Sequence, residues 1–460
     1  MTTPLLSTEQ DALFRRIEDT NDHVFVTGRA GTGKSTLLQH FAANTAKQIA
    51  VCAPTGVAAL NVEGQTIHSL FRLPIGLIAD QELEQPEATR KILGAIDTLV
   101  IDEISMVNAD VMDGIDRSLR QARARRGEPF GGVQVVMFGD PYQLAPVPPR
   151  GDELAYIRDH YRSFWFFDAH VWAGADAGSG SGSGGGTALA GFGELGRYGS
   201  ELNVHELVDI HRQSDAAFKA MLNAVRYGRV TADIAGVLND MGARTPPAPE
   251  ASEAPTITLA TRNDRVSAIN RKHLEALPGR SQTAMAEITG DFGRGEGAYP
   301  ADVELQIKVG AQVMFLRNDI ASFGEAPRWV NGTIGTVTRI TGGTVRVEVD
   351  GREHDVEPAV WEKYRYNYSP LTKRISREIV AEFHQFPLRL AWAVTIHKSQ
   401  GKTYERAVID LGQGAFAPGQ TYVALSRLTS LEGLYLSRPL RPSDIRVDPD
   451  VERFMRSVRR

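Results

Sequence analysis

The feature that most constrains the fold of this chain is a glycine-rich stretch near its N-terminus, Gly28-Arg29-Ala30-Gly31-Thr32-Gly33-Lys34-Ser35. The stretch has the pattern G-x-x-x-x-G-K-S and lies between an apolar run at 24–27 and a more helix-like run at 35–41. Glycines allow successive backbone N–H groups to turn toward an anion, and the start of a following helix favours phosphate. The sequence therefore predicts a strand, a phosphate-binding loop and a helix in that order, as in nucleotide-binding proteins.

The chemistry of the loop side chains indicates how a nucleotide and its metal would be held. Lys34 is able to reach the β- and γ-phosphates of ATP, and the Ser35 hydroxyl is a ligand for Mg²⁺. We therefore predict that ATP and Mg²⁺ bind here. The predicted nucleotide contacts in this segment are Gly28, Ala30, Gly31, Thr32, Gly33, Lys34, Ser35 and Thr36.

Composition and charge limit the classes of protein that the chain can represent. Its 460 residues, 42% apolar and 23% charged, predict an ordinary globular protein of about three domains. The single cysteine, Cys52, excludes an internal disulfide and a cysteine-based zinc cluster, which favours a reducing cytoplasm. We expect no membrane partner, because no apolar run has spanning length and no secretory signal is visible. The net charge of −5 excludes a uniformly basic nucleic-acid binder but not a basic groove.

Short apolar runs at 49–52, 98–101 and 133–138 follow the loop, each with polar residues after it, and this alternation predicts a parallel sheet. The acidic pair Asp102-Glu103 stands directly after the second of these runs. An isolated acidic pair is usually only solvated. The apolar strand before it and the phosphate loop upstream favour catalysis instead, with Asp102 as a Mg²⁺ ligand through water and Glu103 as the general base.

A third polar segment, Gly139-Asp140-Pro141-Tyr142-Gln143, follows the run at 133–138. Gln143 is placed to sense the γ-phosphate and to report its presence to a nucleic-acid groove. The alternative is a surface turn initiated by Asp140-Pro141. Its position in series with the two preceding motifs favours the functional interpretation.

Two arginines far along the chain, Arg212 and Arg427, are candidates for arginine fingers. Hydrolysis places negative charge on the γ-phosphoryl group, and a finger from a second domain would couple domain closure to that step. The alternative for each residue taken alone is a surface salt bridge. The predicted catalytic set is Lys34, Glu103, Gln143, Arg212 and Arg427.

Three stretches have the small hydroxyl and backbone donors that suit the phosphates of a nucleic acid: 53–56, 65–69 and 395–403. The residues predicted to bind nucleic acid are Pro54, Thr55, Gly56, Thr66, His68, His397, Lys398 and Ser399. A further stretch, 361–368, interleaves three tyrosines with Lys363 and Arg365. It is either a stacking platform or, the interpretation we favour, a barrel strand with one aromatic core face.

The remaining patterns predict how the chain divides. Residues 305–350 alternate with period two between Asn-Gly and glycine turns, which predicts a small antiparallel barrel, and 178–186 have the composition of a flexible linker. Strand patterns at 256–260 and 407–411 predict a second alternating domain on either side of the barrel. The predicted divisions are 1–172 for the first domain, 173–200 for the linker, 201–300 and 386–460 for the second domain, and 301–385 for the barrel.

The ordered set of motifs resembles a superfamily 1 helicase, in particular the petite-integration-frequency family of superfamily 1B. The most specific part is the segment 112–147, in which 129–140 is similar to the signature of that family. The stretches 207–213, 395–403 and 420–427 are similar to its later motifs. The resemblance covers nearly the whole chain, although Ala145 replaces an expected proline.

This resemblance implies an α/β fold with two RecA-like parallel-sheet motor domains, a small wedge at about 66–82 and a Src-homology-3-like barrel. It also implies that Gln10 contacts the adenine, that Gly401 contacts the nucleotide, and that the protein moves 5′-to-3′ on single-stranded DNA and opens forked DNA. We expect a protein of the bacterial cytoplasm and nucleoid that is monomeric or only weakly self-associating on DNA. Activity on quadruplex DNA or RNA–DNA hybrids is left open.

An ATP-driven DNA helicase is therefore the leading hypothesis, and three alternatives stand beside it. A related motor in a recombination nuclease is disfavoured by the signature and by the lack of an obvious nuclease carboxylate cluster. A P-loop switch that hydrolyses ATP slowly and never translocates predicts an ATPase rate that is indifferent to single-stranded DNA. A structural protein with a vestigial site is disfavoured by the intact Lys34, Ser35, Asp102 and Glu103.

Overall fold

The structure is a computed structural model, and it describes residues 6–74, 76–78, 83, 85–146, 151–172, 201–209, 215–247, 256–292, 299–319, 328–369 and 374–458. The predicted linker at 173–200 and the candidate finger Arg212 lie outside the described residues. Part of the predicted wedge, residues 75 and 79–82, also lies outside them.

A six-stranded parallel sheet forms the centre of the first part of the molecule, as the alternating pattern predicted. Its strands are β1 (Val24–Gly28), β2 (Ile49–Ala53), β3 (Gln65–Thr66), β4 (Thr98–Ile101), β5 (Gln134–Phe138) and β6 (Asn203–Leu207), in the order β3-β2-β4-β5-β1-β6. Its helices are α1 (Thr8–Asp19), α2 (Lys34–Asn44), α3 (Gly56–Asn61), α4 (Ile67–Phe71), α5 (Glu87–Ala95), α6 (Ala109–Ala122) and α7 (Asp152–His160). We call this sheet and these helices the first unit.

The strands of the first unit are buried on both faces, which explains their continuous apolar runs. Along β1, Val24 and Val26 join one core with residues of α1 and α2, whereas Phe25 joins a second core on the opposite face. Successive side chains of a strand point to opposite faces, so one apolar run supplies both cores. The sheet therefore lies between two layers of helices.

Strand β6 belongs to the first unit, although we predicted that the second domain begins at residue 201. It pairs in parallel with β1 over its whole length, from Asn203 opposite Val24 to Leu207 opposite Gly28. The predicted boundary is therefore wrong. The physical reason is that β1 would otherwise be an edge strand with unpaired backbone groups, and β6 covers that edge. Its first four residues are only half-buried, so it lacks the apolar run by which the other strands were predicted.

A second parallel sheet forms what we call the second unit. Its strands are β7 (Ile257–Ala260), β18 (Ala393–Thr395), β19 (Ala407–Asp410) and β20 (Leu434–Leu436), in the order β18-β7-β19-β20. The helices of this half are α8 (Ala216–Arg226), α9 (Ala232–Gly242), α10 (Asn263–Ala276), α11 (Gln420–Leu425) and α12 (Pro449–Ser457). Of the helices that the structure describes, none is both long and apolar enough to cross a membrane.

Antiparallel strands interrupt the second unit, as the period-two pattern predicted. They are β8 (Gln282–Met285), β9 (Glu287–Gly290), β10 (Glu304–Ile307), β11 (Gln312–Phe315), β12 (Ile334–Thr341), β13 (Thr344–Val349), β14 (Arg352–Val356), β15 (Ala359–Ser369), β16 (Arg374–Gln385) and β17 (Leu388–Leu390). They form a five-stranded sheet, β14-β13-β12-β11-β17, a three-stranded sheet, β15-β16-β9, and the pair β10-β8. The predicted bounds 301–385 are therefore too narrow, because β9 precedes them and β17 follows them.

The long β15–β16 hairpin was predicted to be part of the barrel, but it has a core of its own. Trp361 and Phe383 pack there with Phe292, separately from the core of the five-stranded sheet. This arrangement confirms Trp361 as a strand residue with a core-facing side chain. On the same strand, the carbonyl of Tyr364 accepts a hydrogen bond from the side chain of Gln65 at 2.7 Å, so the hairpin contacts the first unit.

Helix α12 packs against the first unit, although its residues fall in the predicted second domain. The Phe454 ring is stacked on that of Phe167, with centroids 4.1 Å apart. The Trp165 indole N–H donates to Asp448 at 3.1 Å, and Arg453 forms an ion pair with Asp168. The second half of the chain therefore contributes part of the packing around the first sheet.

The turn before α12 contains a buried carboxylate, Asp444, that predicts a pH-dependent stability. Burial alone would raise the pKa of Asp444, but hydrogen bonds from Arg438 and from the backbone N–H groups of Arg441 and Ala415 outweigh burial and lower the pKa to about 2. A lowered pKa means that the ionised form stabilises the fold at neutral pH. This contribution is lost as the pH falls from about 4 toward 2.

We therefore expect Asp444→Asn to lower the melting temperature by a few degrees at pH 7, and by progressively less as the pH falls toward 2. The measurement is thermal unfolding across that pH range. Asp264→Asn is the matched control, because Asp264 pairs with Arg262 at the surface and its side chain is 68% exposed. A variant that is destabilised equally at every pH would contradict this role for the Asp444 charge.

Candidate active site

The strand order of the first unit brings the three predicted motifs to one edge of the sheet. β4, β5 and β1 are adjacent, and they are followed by Asp102, Gly139-Asp140 and the glycine-rich loop respectively. Parallel sheets bind ligands at the carboxyl ends of their strands. The motifs are thus neighbours in space although about 110 residues of sequence separate the first from the last.

The glycine-rich loop has the backbone conformation that a phosphate site requires. Gly31 and Gly33 have φ values of 85° and 79°, a left-handed region that favours glycine. Lys34 is the first residue of α2, and its ammonium donates to the carbonyl oxygens of Gly28 at 2.8 Å and Arg29 at 3.1 Å. The lysine is therefore held over the loop, while Ser35 is exposed at the start of the helix.

Gln10 is attached to this loop from α1. Its side chain closes a capping box with Ser7, and its amide also donates to the carbonyl oxygens of Gly33 at 3.2 Å and Thr32 at 3.4 Å. The structure thus places Gln10 beside the phosphate loop. Its contact with adenine stays a prediction.

The Asp102-Glu103 pair lies in a strongly perturbed environment. Burial raises the pKa of Asp102, and the neighbouring charge of Glu103 raises it further. Burial also raises the pKa of Glu103, while the charges of Lys34 and Arg427 lower it. Glu103 has φ 49° and ψ 44°, a left-handed conformation that is costly for a residue other than glycine and is concentrated at functional sites.

Arg427 reaches this cluster from the end of α11 in the second unit. Its side chain is buried and donates to the carbonyl oxygens of Val423 at 2.9 Å and Lys402 at 3.3 Å, and to the Ser426 hydroxyl at 2.8 Å. Burial lowers the pKa of Arg427, whereas the charge of Glu103 raises it. The structure therefore brings one of the two candidate fingers close to the acidic pair.

The backbone of α11 approaches the first unit very closely at Gly419, which precedes the helix. A Cβ atom at this position would stand 2.3 Å from the carbonyl oxygen of Gln143. Gly419 also has a φ of 75°, so both space and conformation require glycine. The side chain of Gln143 accepts a hydrogen bond from Gln400 of the second unit at 3.3 Å. The predicted phosphate sensor is therefore in direct contact with the loop that contains Gly401.

Two functional candidates, Arg226 and Tyr422, were missed as site residues. Arg226 donates to Asp140 at 2.9 Å, and the Tyr422 hydroxyl lies 3.3 Å from the same carboxylate. A signal for Arg226 does exist in the sequence. It follows Phe218, Leu222 and Val225 at helical spacing, which places an arginine on the buried face of α8.

The segment 129–132 before β5 is held by a buried ion pair in α6. Arg120 donates to Asp116 at 2.7 Å, and Asp116 accepts the backbone N–H of Phe130 at 2.6 Å. Phe130 has a φ of 51°, so this turn needs such support. The pair stabilises the turn that precedes β5.

The nucleic-acid candidates of the first unit lie together at its β2–β3 edge. Ala53 pairs with Thr66, which puts 54–56 beside Thr66 and His68. Thr55 and Thr66 cap α3 and α4, their hydroxyls accepting the N–H groups of Ala58 and Ser69, each at 3.2 Å. His68 is half-buried, and burial lowers its pKa. Pro54 and His68 line a cavity of about 190 Å³ beside this edge.

The candidates of the second unit lie in a short 3-10 turn after β18. Lys398 is exposed there, and His397 is half-buried with a pKa lowered by burial. Ser399 differs from the prediction, because its side chain is buried and its hydroxyl donates to the carbonyl of Ile396 at 2.7 Å. The hydroxyl of Ser399 therefore supports the turn instead of facing the surface.

These features define a P-loop nucleoside triphosphatase whose site lies where two parallel-sheet units meet. A family model described as PIF1-like helicase matches residues 5–165. The ATP-dependent DNA helicase Pif1 of Bdellovibrio bacteriovorus is 33% identical over 445 residues, covering 94% of this chain and 88% of the relative. The chain belongs to the PIF1-like helicase family and is an ATP-dependent helicase.

Other relatives and solved structures agree with this assignment. The human ATP-dependent DNA helicase PIF1 is 32% identical over the whole of this chain, which spans 65% of that protein. Pif1 from Bacteroides in complex with ADP-AlF4 superposes with a TM-score of 0.84 at 35% identity, covering 99% of this chain and 97% of that one. The Bacteroides protein bound to ADP-AlF3 and single-stranded DNA gives 0.67 at 34% identity, covering 99% and 98%.

Proposed function

We propose that this helicase acts on DNA, moving 5′-to-3′ along one strand and opening forked duplex as it advances. The direction of movement is proposed from the family resemblance alone, whereas the coupling of ATP to DNA is carried by the contact between Gln143 and Gln400 at 3.3 Å. It joins the turn after β5, at the nucleotide site, to the loop that presents Lys398. A movement of Gln143 in response to the γ-phosphate would therefore displace Gln400 and the neighbouring residues that we predict to bind DNA.

The residues of the site suit the binding and hydrolysis of ATP. Lys34 and the loop N–H groups would hold the phosphates, and Glu103 would orient and deprotonate the attacking water. Arg427, and by resemblance Arg212, would stabilise the negative charge that develops on the γ-phosphoryl group. Gln10 would contact the adenine.

Mg²⁺ fits the donors at this site, with Ser35 and Asp102 as its protein ligands. A site with few protein ligands suits Mg²⁺, which commonly binds through one or two protein oxygens, phosphates and water. When bound, the ion would neutralise charge on the phosphates.

Movement along DNA would follow from opening and closing of the cleft between the first and second units. One set of predicted DNA contacts lies on the first unit at the β2–β3 edge, and the other predicted set lies on the second unit at 397–398. Closure would shorten the distance between the two sets, and opening after hydrolysis would lengthen it. Because the predicted contacts are to the DNA backbone, binding should be salt-dependent and largely independent of sequence.

The relatives support DNA as the substrate. Pif1 from Bacteroides is described bound to single-stranded DNA, and a further solved structure is described as DNA unwinding at forked duplex by two coordinating Pif1 helicases. The lower TM-score against its DNA complex than against its unliganded form, 0.67 compared with 0.83, supports a rearrangement on DNA binding. We further propose a wedge at about 66–82 and a Src-homology-3-like barrel in the insertion. We also propose a protein of the bacterial cytoplasm and nucleoid that is monomeric or only weakly self-associating on DNA.

The test is the steady-state ATPase rate with and without single-stranded DNA, at low and high salt. We expect strong stimulation by DNA that fades as salt rises, because backbone contacts release counterions. The Lys34→Ala variant is the control for contaminating ATPase. A rate indifferent to DNA would favour the P-loop switch instead. If DNA does stimulate the rate, unwinding of duplexes with 5′ or 3′ tails tests the direction of movement.

A further inference from the structure

One arginine crosses the cleft without exposure to water. Arg226, at the end of α8, donates from Nη2 to Asp140 Oδ1 at 2.9 Å and from Nη1 to Glu206 Oε1 at 3.0 Å, and its side chain and that of Asp140 have no exposed surface. Its guanidinium carbon stands 4.4 Å from the ring centroid of Tyr142. Helix α8 packs on α11, while both carboxylates belong to the first unit.

The carboxylate of Asp140 links Arg226 to the nucleotide site through further hydrogen bonds. Its Oδ2 atom accepts the Tyr422 hydroxyl at 3.3 Å, and the same hydroxyl oxygen accepts the backbone N–H of Ala30 in the phosphate loop at 3.1 Å. Its Oδ1 atom also accepts the N–H of Tyr142 at 3.2 Å. The amide of Gln143 lies 3.5 Å from Oδ2. A single carboxylate thus joins the phosphate loop, the sensor turn and α8.

We propose that Arg226 is a positioning residue for ATP hydrolysis: it fixes Asp140, and through Asp140 it keeps Gln143 and Tyr422 in register with the phosphate loop. This inference rests on the proposed coupling of ATP hydrolysis to DNA. It assigns to α8 a role that the sequence motifs do not include.

The physical basis is the cost of a buried charge without a partner. If Arg226 is removed, Asp140 must turn toward water or take up a proton, because an unpaired buried carboxylate is strongly unfavourable. Turning toward water breaks the hydrogen bonds that Asp140 accepts from Tyr142 and Tyr422, and protonation weakens them because a neutral carboxyl is a poorer acceptor than a carboxylate. The contacts of Lys34 with the loop carbonyls do not depend on Asp140. Turnover should therefore fall more than the affinity for nucleotide.

The experiment compares Arg226→Met with Arg120→Met. The two arginines are matched, since Arg120 is also buried and paired with a buried aspartate, Asp116, but both members of that pair belong to one helix, α6. Both variants should lower the melting temperature. We expect only Arg226→Met to reduce DNA-stimulated kcat, by about tenfold or more, with the KM for ATP changed by less than about threefold. Equal reductions of kcat in both variants would make Arg226 merely structural.

Two milder variants keep the test decisive if Arg226→Met fails to fold. Arg226→Lys retains one charged donor, so it should recover part of the turnover. Tyr422→Phe removes only the hydroxyl between Asp140 and Ala30, and we expect it to lower kcat by about threefold or more with little effect on KM. Wild-type kcat in all the variants that fold would overturn the proposal. If DNA fails to stimulate the wild-type enzyme, the proposed function fails, and basal kcat of the same variants still decides the role of Arg226.

Discussion

Arg427→Ala should lower the rate of ATP hydrolysis by about 10³-fold, the effect expected when an arginine finger is lost. Arg427 donates its hydrogen bonds to Val423, Lys402 and Ser426 of its own unit, and it is close enough to Glu103 to lower the pKa of that carboxyl. Positive charge is thus brought to the acidic pair from the opposite side of the cleft. The measurement is single-turnover hydrolysis with DNA and ATP saturating.

The control for Arg427→Ala is Arg265→Ala. Arg265 pairs with Asp410 in the same unit, and its side chain is 63% exposed, so its loss should leave turnover unchanged. Because Arg427 is buried, the melting temperature of the variant must be measured in parallel. A loss of less than about tenfold in a folded variant would assign Arg427 to packing and not to charge stabilisation.

Glu103→Gln should bind ATP almost as the wild type does, yet hydrolyse it about 10³-fold more slowly. Glutamine has nearly the shape of glutamate, so the left-handed backbone at this position is kept, but its amide does not accept the proton of the attacking water. The measurement pairs equilibrium binding of a fluorescent ATP analogue with single-turnover hydrolysis. Near-normal hydrolysis would remove Glu103 from the role of general base.

Glu128→Gln is the matched control for Glu103→Gln. Glu128 lies in the same unit and pairs with Arg125 at the surface, where its side chain is 55% exposed. An exposed ion pair contributes little, so both binding and turnover should stay at the wild-type level. A loss of hydrolysis in both variants would indicate a general effect of removing negative charge from the first unit.

The fold of each unit was predictable wherever burial was complete. The apolar run 98–101 coincides with β4, since all four of its residues are buried, and the polar pair after it marks the end of the strand. Strand β6 was not predictable in the same way, because it is an edge strand with half-buried residues and joins the sheet only after a long excursion of the chain. Local pattern does not carry that information.

The candidate site likewise has one part that local sequence patterns could predict and one part that they could not. The motifs after β4 and β5, Asp102-Glu103 and Gly139-Asp140, could be recognised from local pattern, and the sheet order places these strand ends side by side. The contacts across the cleft could not. Ala30 meets Tyr422 across 392 positions of sequence, and Asp140 meets Arg226 across 86. Each depends on how two units pack, and only the helical spacing around Arg226 hinted at burial.

The docking of α12 on the first unit has a consequence for how the motor opens. Phe454 lies against Phe167, and Asp448 accepts the indole N–H of Trp165, so a segment that follows the second sheet is anchored beside the first. While these contacts of α12 hold, they limit how far the first and second units can separate. We therefore expect the region around α12 to be displaced less than the rest of the second unit when the cleft opens.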